Sequence, residues 1–400
     1  MISKIFTGDM PELMENILNN LNNEIYSLYS GATLHKLDLN IFESLVIEPE
    51  IFDSLGENTQ FFSHLQSLCL SALPNHEFSV GITTELLIIL SDKAAKINTL
   101  EIILNAADPE LFQALLCVIE SQEKLKKFLI CSLISIEEFY GIISALESQK
   151  NTLQEFIISV PGSCSEEFEV LKNCKNLEIL RISYCEDAEL LKKLNYKIST
   201  LQIIGGSIDA STMVQILEES GTLLQRIFIK EITSGSESIE IWEKSLLEAF
   251  MSFCPNITYL DISIIGFSTQ LLKLIGNLQK LQFLTLRCDV EDMPKEELKK
   301  RVIQFAEILP VTLQYLDFRD TWLKPYIDIL LNHCNASLKK LLIYHHDNEK
   351  NTKALVEFCK RNRTLNYVGV NKYLKLDDNI RKELETFVTL VPYECIVVDC

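Results

Sequence analysis

The sequence predicts a right-handed α/β solenoid, a horseshoe with short parallel strands on its concave side and helices on its convex side. Three observations carry this. A leucine-rich strand motif recurs from Leu34 to Val370, with its cleanest copy at Cys174, Leu177, Leu180, Ile182 and Cys185. A repeating unit of this kind buries its apolar face only by stacking on its neighbours. The intervals between successive first apolar residues run from 23 to 35, most of them from 23 to 28, which leaves room for a helix in each repeat. The intervening segments also carry helix-start signals.

Thirteen strand-like segments are expected, starting at Leu34, Leu65, Leu100, Leu125, Leu153, Leu177, Leu201, Leu224, Ile257, Leu281, Leu313, Leu338 and Leu365. Between them, Asp108 and Pro109 place an N-cap and a first-turn proline ahead of Leu111, Leu115, Val118 and Ile119. Ser135 and Glu138 have capping-box spacing ahead of Phe139, Ile142, Ile143 and Leu146. Leu246, Leu247, Phe250, Met251 and Cys254 share one helical face, and Ile303, Phe305, Ala306 and Leu309 share another. Thr233 to Ser238 reads as an exposed loop, and Glu291 to Arg301 as an acidic–basic stretch. Ahead of the array, Met10, Leu13, Met14, Ile17, Leu18 and Leu21 form an amphipathic stripe that predicts a short helical cap.

Composition narrows the function classes. The chain has 400 residues, 47% of them hydrophobic, and a formal charge of −19. That charge disfavours nucleic acid, because phosphate-backbone binding needs lysine and arginine to displace counterions. Met1 to Met10 hold one lysine, one aspartate and no apolar run, so no signal peptide is expected there. No stretch approaches the roughly 18 apolar residues of a membrane span. The expected location is therefore cytoplasmic or nuclear, and all twelve cysteines are expected as free thiols. No phosphate-binding glycine loop and no nucleophile elbow occurs, so no catalytic residues and no cofactor are expected. His333, Cys334, His345 and His346 lie close in sequence, but Cys334 precedes a strand and His345 follows it, so no metal site is expected. The sequon-like triplets at Asn256, Asn335 and Asn362 read as polar turns ahead of strands.

Strand alternation assigns a binding face. Counting from the first apolar residue of each repeat, the third, fifth and seventh positions point to the concave side. Late in the array these are Tyr259, Phe283, Tyr315 and Tyr367, then Asp261, Thr285 and Asp317, then Ser263, Arg287, Arg319, Tyr344 and Asn371. Aromatic residues flanked by aspartate and arginine are the composition of protein-binding hot spots. Tyr259, Phe283 and Tyr315 should align in a solvent-facing row, with Asp261 and Asp317 beside it and Arg287 and Arg319 on its other side. Earlier repeats place Ile102, Leu104, Leu129, Ile157, Ile179, Ile203 and Phe228 on the same face. That set reads either as a partly covered surface or as an apolar groove.

The repeat pattern resembles the cysteine-containing leucine-rich-repeat family, which includes F-box proteins, over roughly residues 32–371. Met10, Pro11, Glu12, Leu13, Ile17, Leu18, Leu21 and Leu28 also resemble the opening of an F-box. The resemblance stops before that family's third helix and its Val–Trp pair, since Trp242 and Trp322 both lie deep in the array. Residues 1–31 are accordingly either a truncated F-box-like cap or simply a helical cap, with a leucine-rich-repeat solenoid over 32–400. The resemblance implies a non-enzymatic substrate-recognition subunit of a cullin-RING ubiquitin ligase. Met10, Pro11, Leu13, Ile17, Leu18, Leu21 and Leu28 would dock a Skp-type adaptor, and the array would select a protein substrate. The alternative is a stand-alone repeat scaffold that binds or sequesters a protein.

Overall fold

The computed structural model describes residues 34–41, 62–72, 77–104, 108–132, 141–162, 166–185, 191, 197–206, 208–230, 238–290, 293–343, 349–370 and 378–398. It is an α/β leucine-rich-repeat solenoid in which parallel strands alternate with helical segments and the sheet stays open. It divides into two compact units, Met1–Lys197 and Ile198–Cys400. The expected N-terminal cap, with Met10 to Leu28, lies outside the described residues, as do Tyr344, His345, His346, Asn371 and the capping box at Ser135.

In the first unit the strands follow chain order: β1 (Lys36–Ile41), β2 (Ser67–Ala72), β3 (Thr99–Leu104), β4 (Lys127–Ser132), β5 (Glu155–Gly162) and β6 (Ile179–Cys185). Helix α1 (Glu77–Lys93) precedes β3, α2 (Pro109–Ser121) precedes β4, and the short α3 (Ile142–Ala145) precedes β5. Burial alternates along β3 and β4, and Leu100, Ile102, Leu104, Phe128 and Ile130 all point into the core. Helix α2 begins as its signals predict: the Asp108 carboxylate accepts from the Leu111 amide at 2.9 Å, with Pro109 in the first turn. Two buried glutamines close the corners where helical segments hand over to strands. Gln122 accepts from the Ile97 amide at 2.8 Å, and Gln149 accepts from the Leu125 amide at 3.0 Å. Gln149 also donates to the Gln122 carbonyl at 2.9 Å. Each satisfies backbone groups that would otherwise be buried without partners.

The second unit continues the pattern with β7 (Thr200–Ile204), β8 (Arg226–Lys230), β9 (Tyr259–Gly266), β10 (Phe283–Asp289), β11 (Tyr315–Phe318), β12 (Lys340–Ile343), β13 (Tyr367–Val370) and β14 (Thr389–Pro392). Its helices are α4 (Ala210–Ser220), α5 (Ile239–Phe253), α6 (Thr269–Asn277), α7 (Lys295–Ile308), α8 (Ile327–His333), α9 (Glu349–Arg361) and α10 (Asp378–Glu385). Ser238 caps α5 and Ser268 caps α6. Leu246, Leu247 and Phe250 are buried as the helical face predicts. In α7 the buried set is Leu298, Val302, Phe305 and Ala306, so Val302 takes the inward place expected of Ile303. The sequon-like asparagines serve structure: Asn256 donates to the Thr222 carbonyl and Asn362 to the Ala336 carbonyl, both at 2.8 Å. No helix among the described residues is long and apolar enough to cross a membrane.

Two expected strand frames are displaced. Thr99 pairs with Ser67 and Lys127, so β3 begins its motif at Ile97 and not at Leu100. Thr200 pairs with Arg226, so β7 begins at Ile198 and not at Leu201. Ile102, Leu104 and Ile203 consequently face the core instead of the helix-free surface. A fourteenth strand, β14, also adds to the thirteen expected.

Candidate functional site

The site is built on the helix-free face of the second unit. Leu260, Leu284, Leu316 and Leu341 turn inward and are buried, which fixes the facing of their neighbours along each pleat. Register then does the rest. Tyr259, Phe283, Tyr315, Lys340, Tyr367 and Thr389 are successive partners across β9 to β14. One pleat further along lie Asp261, Thr285, Asp317, Leu342, Gly369 and Val391. The Tyr259 and Phe283 rings stack at 5.9 Å between centroids, and Phe283 and Tyr315 repeat that separation. Such aromatic pairs contribute about 0.5–1.5 kcal/mol beyond the area they bury.

The charged residues form a network with the aspartates at its centre. Arg287 donates to Asp317 Oδ1 at 3.1 Å, and Arg319 donates to Oδ1 and Oδ2 at 2.9 and 2.8 Å. Lys230 approaches Asp261 Oδ2 at 3.2 Å and lies over the Phe228 ring. The arginines therefore stand on the same side of the aromatic row as the aspartates, not on the opposite side. The physical reason is the pleat: third, fifth and seventh positions succeed one another in one direction along a strand. Burial raises the Asp261 carboxyl to about 6, with Lys230 and Arg287 opposing the shift. Its Oδ1 has no hydrogen-bond partner among the described residues.

The aromatic row does not face solvent as expected. Tyr259 and Tyr315 are only 2% and 1% exposed, Phe283 is half-buried, and Tyr367 alone is open at 39%. What covers them is the chain's own segment after β14. Pro392 has no amide to extend the ladder, and a 3₁₀ turn over Tyr393–Cys395 swings the backbone across the face. The Tyr393 phenol donates to the Ile343 carbonyl of β12 at 2.8 Å. The Tyr259 phenol donates to the Val398 carbonyl at 2.8 Å, across 139 residues of sequence. Tyr393 and Ile396 cluster with Tyr315 and Leu342, and Phe283, Val391 and Val398 pack around them. The Arg319 guanidinium sits 4.8 Å from the Tyr393 ring centre, within cation–π range. Gly369 makes the space: a Cβ there would come within 2.9 Å of Tyr393 Cδ1.

Sequence reasoning missed Tyr393, Ile396 and Val398. The signal that could have found β14 is Phe387 and Leu390, three apart and starting 22 residues after Leu365, with Pro392 in place of the third apolar residue. In the first unit the same face carries ion pairs and aliphatic side chains. Lys127 meets Glu101 at 2.7 Å and Arg181 meets Glu155 at 3.4 Å, near the half-buried Leu129, Ile157 and Ile179. No group of three or more His, Cys, Asp or Glu side chains among the described residues is arranged to hold a metal ion.

No family model and no curated protein matches the chain. Among solved structures, the chain is similar to the crystal structure of the Rad7 and Elc1 complex in yeast, at 14% identity, with a TM-score of 0.48, over 97% of this chain and 89% of that one. It is also similar to the leucine-rich repeat-containing protein LegL7 from Legionella pneumophila, at 12% identity, with a TM-score of 0.35, over 90% of this chain and 91% of that one.

Proposed function

We propose that the chain is a non-enzymatic protein-binding adaptor, cytoplasmic or nuclear, that holds a protein partner on the helix-free face of its second unit. The residues in contact would be Tyr259, Asp261, Phe283, Thr285, Arg287, Tyr315, Asp317, Arg319, Tyr344 and Tyr367. One observation supports this reading: the chain's own Tyr393–Val398 segment packs across that face through ring packing, a cation–π contact and hydrogen bonds at both ends. A surface of rigid aromatic area beside fixed charge supplies both affinity and register.

The F-box-like segment gives the adaptor half of the reading. Met10, Pro11, Leu13, Ile17, Leu18, Leu21 and Leu28 would dock a Skp-type adaptor and so couple the held protein to a cullin-RING ubiquitin ligase. The test is co-purification of a Skp-type adaptor with the full chain and with a Leu13→Asp, Ile17→Asp variant. Binding that the variant loses, with circular dichroism unchanged, supports ligase coupling. Wild-type binding no tighter than micromolar overturns it. The scaffold without ligase coupling is then the reading that stands, and the lack of a Val–Trp pair after the F-box-like opening favours it.

A further inference from the structure

The covered aromatic row has a specific chemistry, and it names the kind of molecule that fits. Tyr393 is recognised three ways: its ring lies under the Arg319 guanidinium, its phenol reaches the Ile343 carbonyl, and its edge fills the space left by Gly369. Three residues on, Ile396 packs on Tyr315 and Leu342. Two residues later, the Val398 side chain packs against the same cluster, and its backbone carbonyl accepts from the Tyr259 phenol. We infer that this face is a docking site for a short peptide segment carrying a tyrosine, an aliphatic residue three positions on and a second aliphatic two beyond that, and that the chain's own Tyr393, Ile396 and Val398 occupy it until such a partner displaces them. The inference rests on the protein-binding reading of the same face.

The resident segment is built to be displaced. Glu394, Cys395 and Val397 on it point to solvent, and Phe387 ahead of it is exposed. Helix α10 before it buries only Leu384. A terminal segment anchored by only two buried side chains, Tyr393 and Ile396, opens at lower free energy than the core strands it covers. A cap for a solenoid end covers the last edge of the sheet. This segment instead turns back over β12, β11, β10 and β9, so it shields the aromatic row and leaves the β14 edge unpaired among the described residues. Once it leaves, Tyr259, Phe283 and Tyr315 become a contiguous exposed patch of the sort that marks an interaction surface.

The test uses a fluorescein-labelled peptide of residues 389–398, made with Cys395→Ser, titrated by anisotropy against the full chain. The hosts are the wild type and a Tyr393→Ala, Ile396→Ala variant. The peptide is expected to bind the variant in the micromolar range and the wild type at least about tenfold more weakly, because under about a tenth of wild-type molecules have the face free. A peptide carrying Tyr393→Ala and Ile396→Ala should bind neither. Equal binding to both hosts, or to neither with circular dichroism intact, overturns the inference. So does a wild-type dimer that the peptide dissolves, since the occupant would then be a second copy of this chain. Should the variant fail to fold, hydrogen exchange of the wild type decides. Amides of residues 393–398 should exchange at least about tenfold faster than those of β9 to β11, and equal protection refutes displacement. Failure here leaves the Skp-type co-purification test untouched, because that test reads residues 10–28.

Discussion

Removing the carboxylate of Asp317 should loosen the second unit by an amount its geometry bounds. Asp317 is 2% exposed and receives three hydrogen bonds from two guanidinium groups. Breaking a buried ion pair by deleting one partner costs about 3–5 kcal/mol, because the remaining charge stays desolvated. Here the remaining charges are not sealed in. The side chains of Arg287 and Arg319 are 29% and 21% exposed, and Arg287 keeps a 2.6 Å bond to the Leu286 carbonyl. Both can rehydrate in part, which lowers the expected cost of Asp317→Ala to about 2–3 kcal/mol. For a cooperative unit of this size, about 2–4 °C of Tm accompany each kcal/mol, so Tm should fall by about 4–12 °C. Scanning calorimetry of Asp317→Ala, Arg319→Ala and the double variant measures it. The single costs should fail to add by about 1–2 kcal/mol, because they remove the same contact. A Tm change under about 2 °C with additive singles would show that the network is solvated, and that the aspartate is held by packing alone.

Other measurements probe the rest of the fold. Ile262 is 1% exposed, so Ile262→Ala should cost about 2–5 kcal/mol in urea unfolding; a cost below about 1 kcal/mol would place it off the core. The Asp261 carboxyl is raised from 3.8 to about 6, so its ionisation opposes folding. That penalty is absent below 3.8, grows as pH rises toward 6 and is complete above it. Asp261→Asn should therefore stabilise the protein by on the order of 2 kcal/mol at pH 7.5, less at pH 4.5; a gain independent of pH would refute the assignment. Burial pushes the Cys174, Cys254 and Cys359 thiols up to about 12, while Cys117 and Cys395 are exposed. Among the described cysteines, timed alkylation read by mass spectrometry should label Cys117 and Cys395 first and leave the buried three nearly untouched in the native state.

The sequence by itself determined the repeat, its α/β class and the inward leucines. Stacking demands an apolar residue at each recurring place, and that demand is local and periodic. It also determined which side chains share a row, because strand alternation carries Tyr259, Phe283 and Tyr315 to equivalent places. It slipped by three residues at β3 and β7. There Leu100-x-Ile102 and Leu201-x-Ile203 look like a motif start, while the true starts, Ile97 and Ile198, sit one internal spacing earlier. The motif's own three-residue interval makes that slip hard to see without strand pairing. The tertiary structure alone decided what lies on the face. Periodicity says which way a side chain points, but exposure depends on whatever else arrives there. Here a segment 139 residues from Tyr259 arrives, turned by Pro392 and admitted by Gly369. No local pattern encodes that encounter, because it arises only once the strands stack and bring Tyr259 and the segment after β14 onto one surface.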